Sequence, residues 1–277
     1  MVDTLCLDIA GLCVALQISD QETSARTRET YAEFLAQGAP ACTVRVEVRS
    51  GADFLTRHAG PWDIETALAG DRLSYRSYDD VGDVNFQTRT GVLALAPGAG
   101  LENFLRVLYA HLCARSGGLL LHAAGVIRDG RGHVFFGRSG SGKSTTARLS
   151  RDAGCIVLSD DLVILRKLAG VFRVFGVPFR GTAMEIPRTR ADAPLAGLYA
   201  LVKAPQHALV PLDGPHAVAA LTRSVPFVMA APLSGNAVIA FCADLARTVQ
   251  PVELHFRKDD GFWKVIDESS KPVSRAA

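Results

Sequence analysis

Apolar and polar residues alternate through much of the first hundred positions, the two-residue period of a half-buried strand. Val44, Val46 and Val48 fall on one face with Arg45, Glu47 and Arg49 on the other, and Val84 and Phe86 repeat the pattern ahead of an apolar run over residues 92–96. Residues 5–18 read as two short strands that turn at Gly11. Further turns are marked by Ser50-Gly51, Ala69-Gly70-Asp71 and Arg89-Thr90-Gly91. Residues 22–37 carry the charge pattern of a surface helix. These features predict a strand-rich, antiparallel region over residues 1–98.

The period changes after Pro97-Gly98-Ala99-Gly100, where Leu101, Phe104, Leu105, Leu108 and Leu112 recur at helical spacing until Gly117-Gly118. A second domain is expected over residues 99–268. It opens with a strand at 119–127, a tight Asp129-Gly130-Arg131-Gly132 turn and a strand through Phe136. Residues 155–159 and 162–167 read as strands, as do 171–177, 198–203 and 252–256. Residues 216–223 and 233–249 read as helices, the latter with Val238, Cys242 and Leu245 on one side. Residues 269–277 are polar and expected to form a flexible tail. The fold class is therefore mixed, α/β or α+β, with a mixed sheet flanked by helices in the second domain.

Composition narrows the partners. With 48% hydrophobic residues, a chain of 277 can bury a sizeable core. Its 30 basic residues are dispersed among 28 acidic ones for a net charge of +2, which argues against nucleic acid or an anionic membrane surface. No Lys or Arg precedes Arg26 and Asp8 interrupts the first apolar stretch, so a signal peptide or membrane span fits poorly. The six cysteines form no C-x-x-C pair, and they read as reduced thiols of a cytoplasmic protein.

The chemistry is concentrated at Gly137-Arg138-Ser139-Gly140-Ser141-Gly142-Lys143-Ser144-Thr145, a full Walker A pattern behind the apolar His133-Val134-Phe135-Phe136. Glycines at 137, 140 and 142 let the backbone turn its N–H groups toward an anion. Lys143 can reach the terminal phosphates of ATP, and the Ser144 hydroxyl can ligate Mg2+. A helix beginning near Lys143 adds its positive dipole end. The bland alternative is a Gly/Ser surface loop, which the strand before and the helical run after argue against. Downstream, an apolar strand delivers Asp160 and Asp161, acidic partners for nucleotide-bound Mg2+ that could otherwise cap a turn between two strands. Of two adjacent carboxylates, one can hold the metal while the other serves as base.

With Leu121-His122-Ala123-Ala124-Gly125-Val126 upstream, the phosphate loop and Ser159-Asp160-Asp161 resemble the HPr kinase/phosphorylase family of P-loop serine kinases. The resemblance implies that Asp161 accepts the proton of the attacking hydroxyl, that Lys143 binds phosphate, and that Ser144 and Asp160 hold the metal. It also implies that His122 lies in the active site, where a lone His on an apolar strand would otherwise read as a core residue. That family's second signature has an acidic residue two positions before an Arg-Gly pair. Here Arg180-Gly181 is preceded by Pro178-Phe179, so the acidic ligand is missing, and Glu185 is either its substitute or an ordinary exposed glutamate. Arg180 and Arg223 are open as phosphate contacts or solvated residues.

The strand-rich start, the segment 176–181 and the ending Val252-Glu253-Leu254-His255-Phe256 with Phe262-Trp263 resemble a divergent branch, the tailoring kinases of lasso-peptide and related ribosomal-peptide clusters. Phe262 and Trp263 themselves are best read as packing a C-terminal helix onto the core. The expected activity is ATP- and Mg2+-dependent transfer of the γ-phosphoryl group to a serine of a peptide or small protein. A nucleotide-sensing regulatory module and a kinase of a small-molecule hydroxyl such as free serine stand as alternatives. Oligomeric state is open, a homo-oligomer included.

Overall fold

The computed structural model describes residues 2–51, 53–59, 63–229 and 232–269, and it divides into two compact units. The first holds the residues up to Ser116 together with Phe227–Gly235. Strands β1 (Asp3–Ile9) and β2 (Leu12–Ile18) form a hairpin whose two-residue turn places Ala10 and Gly11 at φ of 56° and 76°. Helix α1 (Gln21–Thr30) starts at Asp20, whose carboxylate accepts from the N–H of Thr23 at 2.8 Å. It is shorter than the helix expected over 22–37. After it the chain makes a 3-10 turn at Ala32–Phe34 and a bridge from Leu35 to Leu7, burying Tyr31 and Phe34.

Five further strands complete this sheet: β3 (Cys42–Val48), β4 (Glu65–Ala69), β5 (Arg72–Arg76), β6 (Asp80–Asn85) and β7 (Thr90–Leu95). The order is β1-β2-β3-β7-β6-β5-β4. It is not the antiparallel sheet expected, because β3 pairs parallel to both β2 and β7. Helix α1 returns the chain between β2 and β3, and the β4-β5-β6 meander returns it between β3 and β7, so each of those links is a crossover. Helix α2 (Glu102–Arg115) belongs to this unit, whose contacts run to Ser116. Its Phe104 meets the Tyr75 ring at 5.5 Å, and the Tyr109 hydroxyl donates to the carbonyls of Leu7 at 2.9 Å and Leu12 at 3.0 Å. That single proton, shared between the two carbonyls, gives the buried hydroxyl its partners, where an orphan would be costly.

The second unit holds Gly117–Pro226 and the residues from Asn236 on. Strand β8 (Gly118–Arg128) turns at Asp129 and Gly130, both left-handed at φ of 52° and 72°, into β9 (Arg131–Phe136). Helix α3 (Lys143–Asp152) is followed by β10 (Ile156–Ser159), β11 (Leu162–Leu168), β12 (Val171–Phe175), β13 (Asp192–Lys203) and β14 (Ala208–Pro211). Then come α4 (Gly214–Thr222), α5 (Pro232–Thr248), β15 (Val252–Phe256) and α6 (Phe262–Ser269).

Two long strands are shared between partners. One end of β8 pairs with β11 and the other with β9 and β10, while β13 pairs with β12, β9 and β15, closing a circuit β8-β11-β12-β13-β9. Strands β9, β13 and β15 run parallel, so their carboxyl ends lie side by side. The core on the α3 side joins Phe135, Tyr199, Leu254, Phe256, Phe262 and Trp263. Phe262 and Trp263 are thus core residues of α6, as expected, and Ser269 closes that helix. The rest of the expected tail, from residue 270, lies outside the described residues.

Candidate functional site

Register brings the distant sequence blocks together. In the β8–β9 hairpin Ala123 stands opposite Phe136, and between β8 and β11 His122 stands opposite Leu162. His122 therefore lies beside both the start of the phosphate loop and the end of the strand that delivers the aspartates. Its Nε2 is 3.1 Å from Oδ1 of Asp161. Ser159 organises the turn between β10 and β11, its hydroxyl accepting from the N–H groups of Asp161 and Leu162 at 3.2 Å each. The aspartates are thus not the caps of that turn.

The loop has the conformation its glycines permit. Gly137, Gly140 and Gly142 take φ of 150°, 75° and 115°, and at Gly142 a Cβ would also stand 2.5 Å from the Phe256 ring. Helix α3 begins directly after Gly142 with no side-chain cap and no acidic residue in its first turn. Its positive end is available to an anion. Lys143 is buried, and its Nζ donates to the carbonyls of Gly137 at 3.1 Å and Arg138 at 3.3 Å, so the amine is held inside the turn. Burial lowers its pKa, an effect opposed by the charges of Asp161 and Asp160. The Ser141 hydroxyl is buried in the same loop without a hydrogen-bond partner among the described residues. An unpaired donor there suits a phosphate oxygen.

Asp160 is 4% exposed. Its Oδ2 accepts from the N–H of Ala183 at 3.1 Å and from the Thr182 hydroxyl at 3.4 Å, and Thr182 reaches Ser144 Oγ at 3.2 Å. Gly181 is the residue that lets the carboxylate in, since a Cβ there would meet Asp160 Oδ1 at 2.2 Å. This set of hard oxygens fits a Mg2+ carried on a nucleotide, which takes one or two protein carboxylates and completes its shell with phosphate and water. Ser144 and Asp160 would hold it. The geometry gives Glu185 to another partner: its carboxylate lies 2.5 Å from Arg148 Nε and 4.0 Å from Arg151 NH1, and the Arg148 bond lowers its pKa. Among the described residues no group of three or more His, Cys, Asp or Glu is placed to hold a metal.

Beside the loop a cavity of about 530 Å³ is walled by residues 137–141, by Ala200, Leu201, Val202 and Lys203 of β13, by Glu253 of β15 and by one face of α4. Arg223 lines it, next to Ser224, whose carbonyl accepts from the N–H of His122 at 2.7 Å. Sequence reasoning thus reached Lys143, Ser144, Asp160, Asp161 and His122 as one cluster, and left Arg223 open. It missed Thr182, which follows the Arg180-Gly181 pair without any motif of its own. It also missed Glu253, where strand alternation gives no sign that the residue faces a cavity.

All six cysteines are free, and among the described residues no helix is long and apolar enough to cross a membrane. A family model described as SynChlorMet cassette protein ScmC matches residues 100–268, more than half of the chain. Comparison with curated proteins finds no match.

Proposed function

The chain belongs to the family of the SynChlorMet cassette protein ScmC, and from its phosphate loop and acidic pair we propose that it is an ATP- and Mg2+-dependent kinase acting on an alcohol. The observation that carries this reading is three contacts on neighbouring residues: Lys143 held in the loop, Ser144 joined through Thr182 to Asp160, and His122 paired with Asp161. A nucleotide-binding loop alone needs no second carboxylate oriented by a histidine.

In this reading the loop amides, the α3 N-terminus and Lys143 bind and orient the phosphates. Bound Mg2+ would neutralise charge on them. Asp161, fixed by His122, takes the proton of the acceptor hydroxyl as its oxygen bonds to the γ-phosphorus and the bond to the β–γ bridging oxygen breaks. The products are a phosphoester and ADP. The resemblance to HPr-kinase-like and ribosomal-peptide kinases supports a serine of a peptide or small protein as acceptor. Six free cysteines suit a reducing compartment such as the cytoplasm.

The test is incubation with γ-labelled ATP and Mg2+ in the presence of free serine, serine-containing precursor peptides or HPr, the label being located by mass spectrometry. Label on a serine, lost in Lys143→Ala, is expected. Equal labelling by that variant would sink the assignment of the loop.

A further inference from the structure

We propose that Thr182 is a metal ligand, the third oxygen of a one-carboxylate site that it forms with Ser144 and Asp160. The inference rests on the kinase reading above, because the cation concerned is the one carried on the nucleotide.

The first ground is spacing. Thr182 Oγ1 stands 3.2 Å from Ser144 Oγ and 3.4 Å from Asp160 Oδ2. Both separations exceed the about 2.7–2.8 Å at which a hydroxyl makes its best hydrogen bond to oxygen. They lie closer to the about 3.0 Å between neighbouring ligands of an octahedral Mg2+, each about 2.1 Å from the ion. The hydroxyl is a weak donor to Asp160 at that range, and Asp160 Oδ2 already accepts from the N–H of Ala183 at 3.1 Å. Three oxygens set slightly too far apart to bond one another well are spaced to share a cation.

The second ground is how Thr182 is held. Gly181 packs against Asp160 and Asp161, and Ala183 and Ile186 are buried in the core on the α3 side. The N–H of Ile186 donates to the carbonyl of Ala183 at 3.0 Å, closing a turn that the Glu185–Arg148 pair ties to α3, the helix that carries Ser144. Thr182 itself is exposed. Its backbone is thus fixed while its hydroxyl stays open to a metal arriving with the nucleotide. The third ground is charge. Asp161 is paired with His122 and Glu185 with Arg148, which leaves Asp160 as the carboxylate for the metal. One carboxylate and two neutral hydroxyls suit a Mg2+ whose remaining ligands are phosphate and water.

Calorimetric titration of the full chain with a non-hydrolysable ATP analogue, in excess Mg2+ and again with Mg2+ removed by a chelator, gives the contribution of the metal as the ratio of the two affinities. Wild type is expected to bind the analogue more tightly with Mg2+. Thr182→Val, which keeps the shape without the hydroxyl, should shrink the ratio by about tenfold or more with metal-free binding held within about twofold, while Thr182→Ser keeps the ratio within about threefold. Thr182→Cys should prefer Cd2+ to Mg2+ with the analogue and show a thiolate-to-cadmium absorption band beyond that of the native cysteines in wild type, which a side chain that only positions Asp160 would not produce. A ratio unchanged in Thr182→Val, or no added band in Thr182→Cys, overturns the ligand and leaves the kinase reading standing. Failure of wild type to bind the analogue with or without Mg2+ overturns both.

Discussion

Gly181 offers the sharpest perturbation of the site. A methyl group added there would stand 2.2 Å from Oδ1 and 2.7 Å from Cγ of Asp160, and 2.7 Å from Cβ of Asp161. Gly181 is not among the glycines with positive φ, so the cost of Gly181→Ala is steric and not one of backbone conformation. Heavy atoms in ordinary contact sit about 3.5–4 Å apart, so the Asp160 carboxylate must retreat by about 1 Å. That breaks its bond to the N–H of Ala183, leaving a buried carboxylate and a buried amide imperfectly paired.

Overpacking and the lost pairing together cost about 2–6 kcal/mol of stability. Disturbing the bonds that orient a metal ligand should lower Mg-nucleotide affinity by about 10–100-fold. Gly132→Ala is the control, since its methyl would stand 2.3 Å from Val174 Cγ1, a comparable clash with the tip of a side chain that is not part of the site. Denaturant unfolding and Mg-ATP titration of both variants separate the effects. Both should lose stability, and only Gly181→Ala should lose affinity. If Gly181→Ala binds Mg-ATP as wild type does, Asp160 is not poised for the metal; if it is as stable as wild type, the packing of Gly181 on the carboxylate is wrong.

Two further outcomes follow from local geometry. Glu185→Gln should leave Mg-nucleotide affinity unchanged, because Arg148 already engages that carboxylate, and a large loss in the same titration would restore Glu185 as a ligand. Asp80 is buried in β6, and burial raises its pKa from 3.8 to about 6 against the opposing bonds from Ser77 and Tyr75. A carboxyl raised on folding favours the folded state below its unfolded pKa and loses that contribution as pH climbs through its folded value. Wild type should therefore lose of order 3 kcal/mol relative to Asp80→Asn between about pH 4 and pH 6, read from paired denaturant curves. A constant difference across that window would contradict the shift.

Much of the site was legible because its signals are local. Gly137, Gly140 and Gly142 are needed by the backbone itself, Lys143 follows at fixed spacing, and the Asp129-Gly130 turn announces the hairpin that feeds the loop. Direction was not legible: alternation in β3 and β7 is the same whether a neighbour runs parallel or antiparallel, so the crossovers that make the first sheet mixed left no trace in the pattern. The packing partner of α2 was hidden for a related reason. Its apolar stripe states that it packs, and only Tyr109 reaching Leu7 and Leu12 states on what. Thr182 and the cavity around Glu253 and Arg223 are tertiary products of segments far apart in sequence. Glu185 had the right chemistry at a plausible distance along the chain, and an arginine one turn beyond Ser144 in α3 claimed it.

The most direct measurement compares wild type with Asp161→Asn, using Mg-ATP titration and transfer of labelled phosphate to a serine-containing acceptor. The expected result is unchanged nucleotide affinity with transfer reduced by about 10²-fold or more, since Asn keeps the shape beside His122 but cannot take the proton. Transfer at the wild-type rate would contradict a catalytic role for Asp161, and with it the kinase built on that residue.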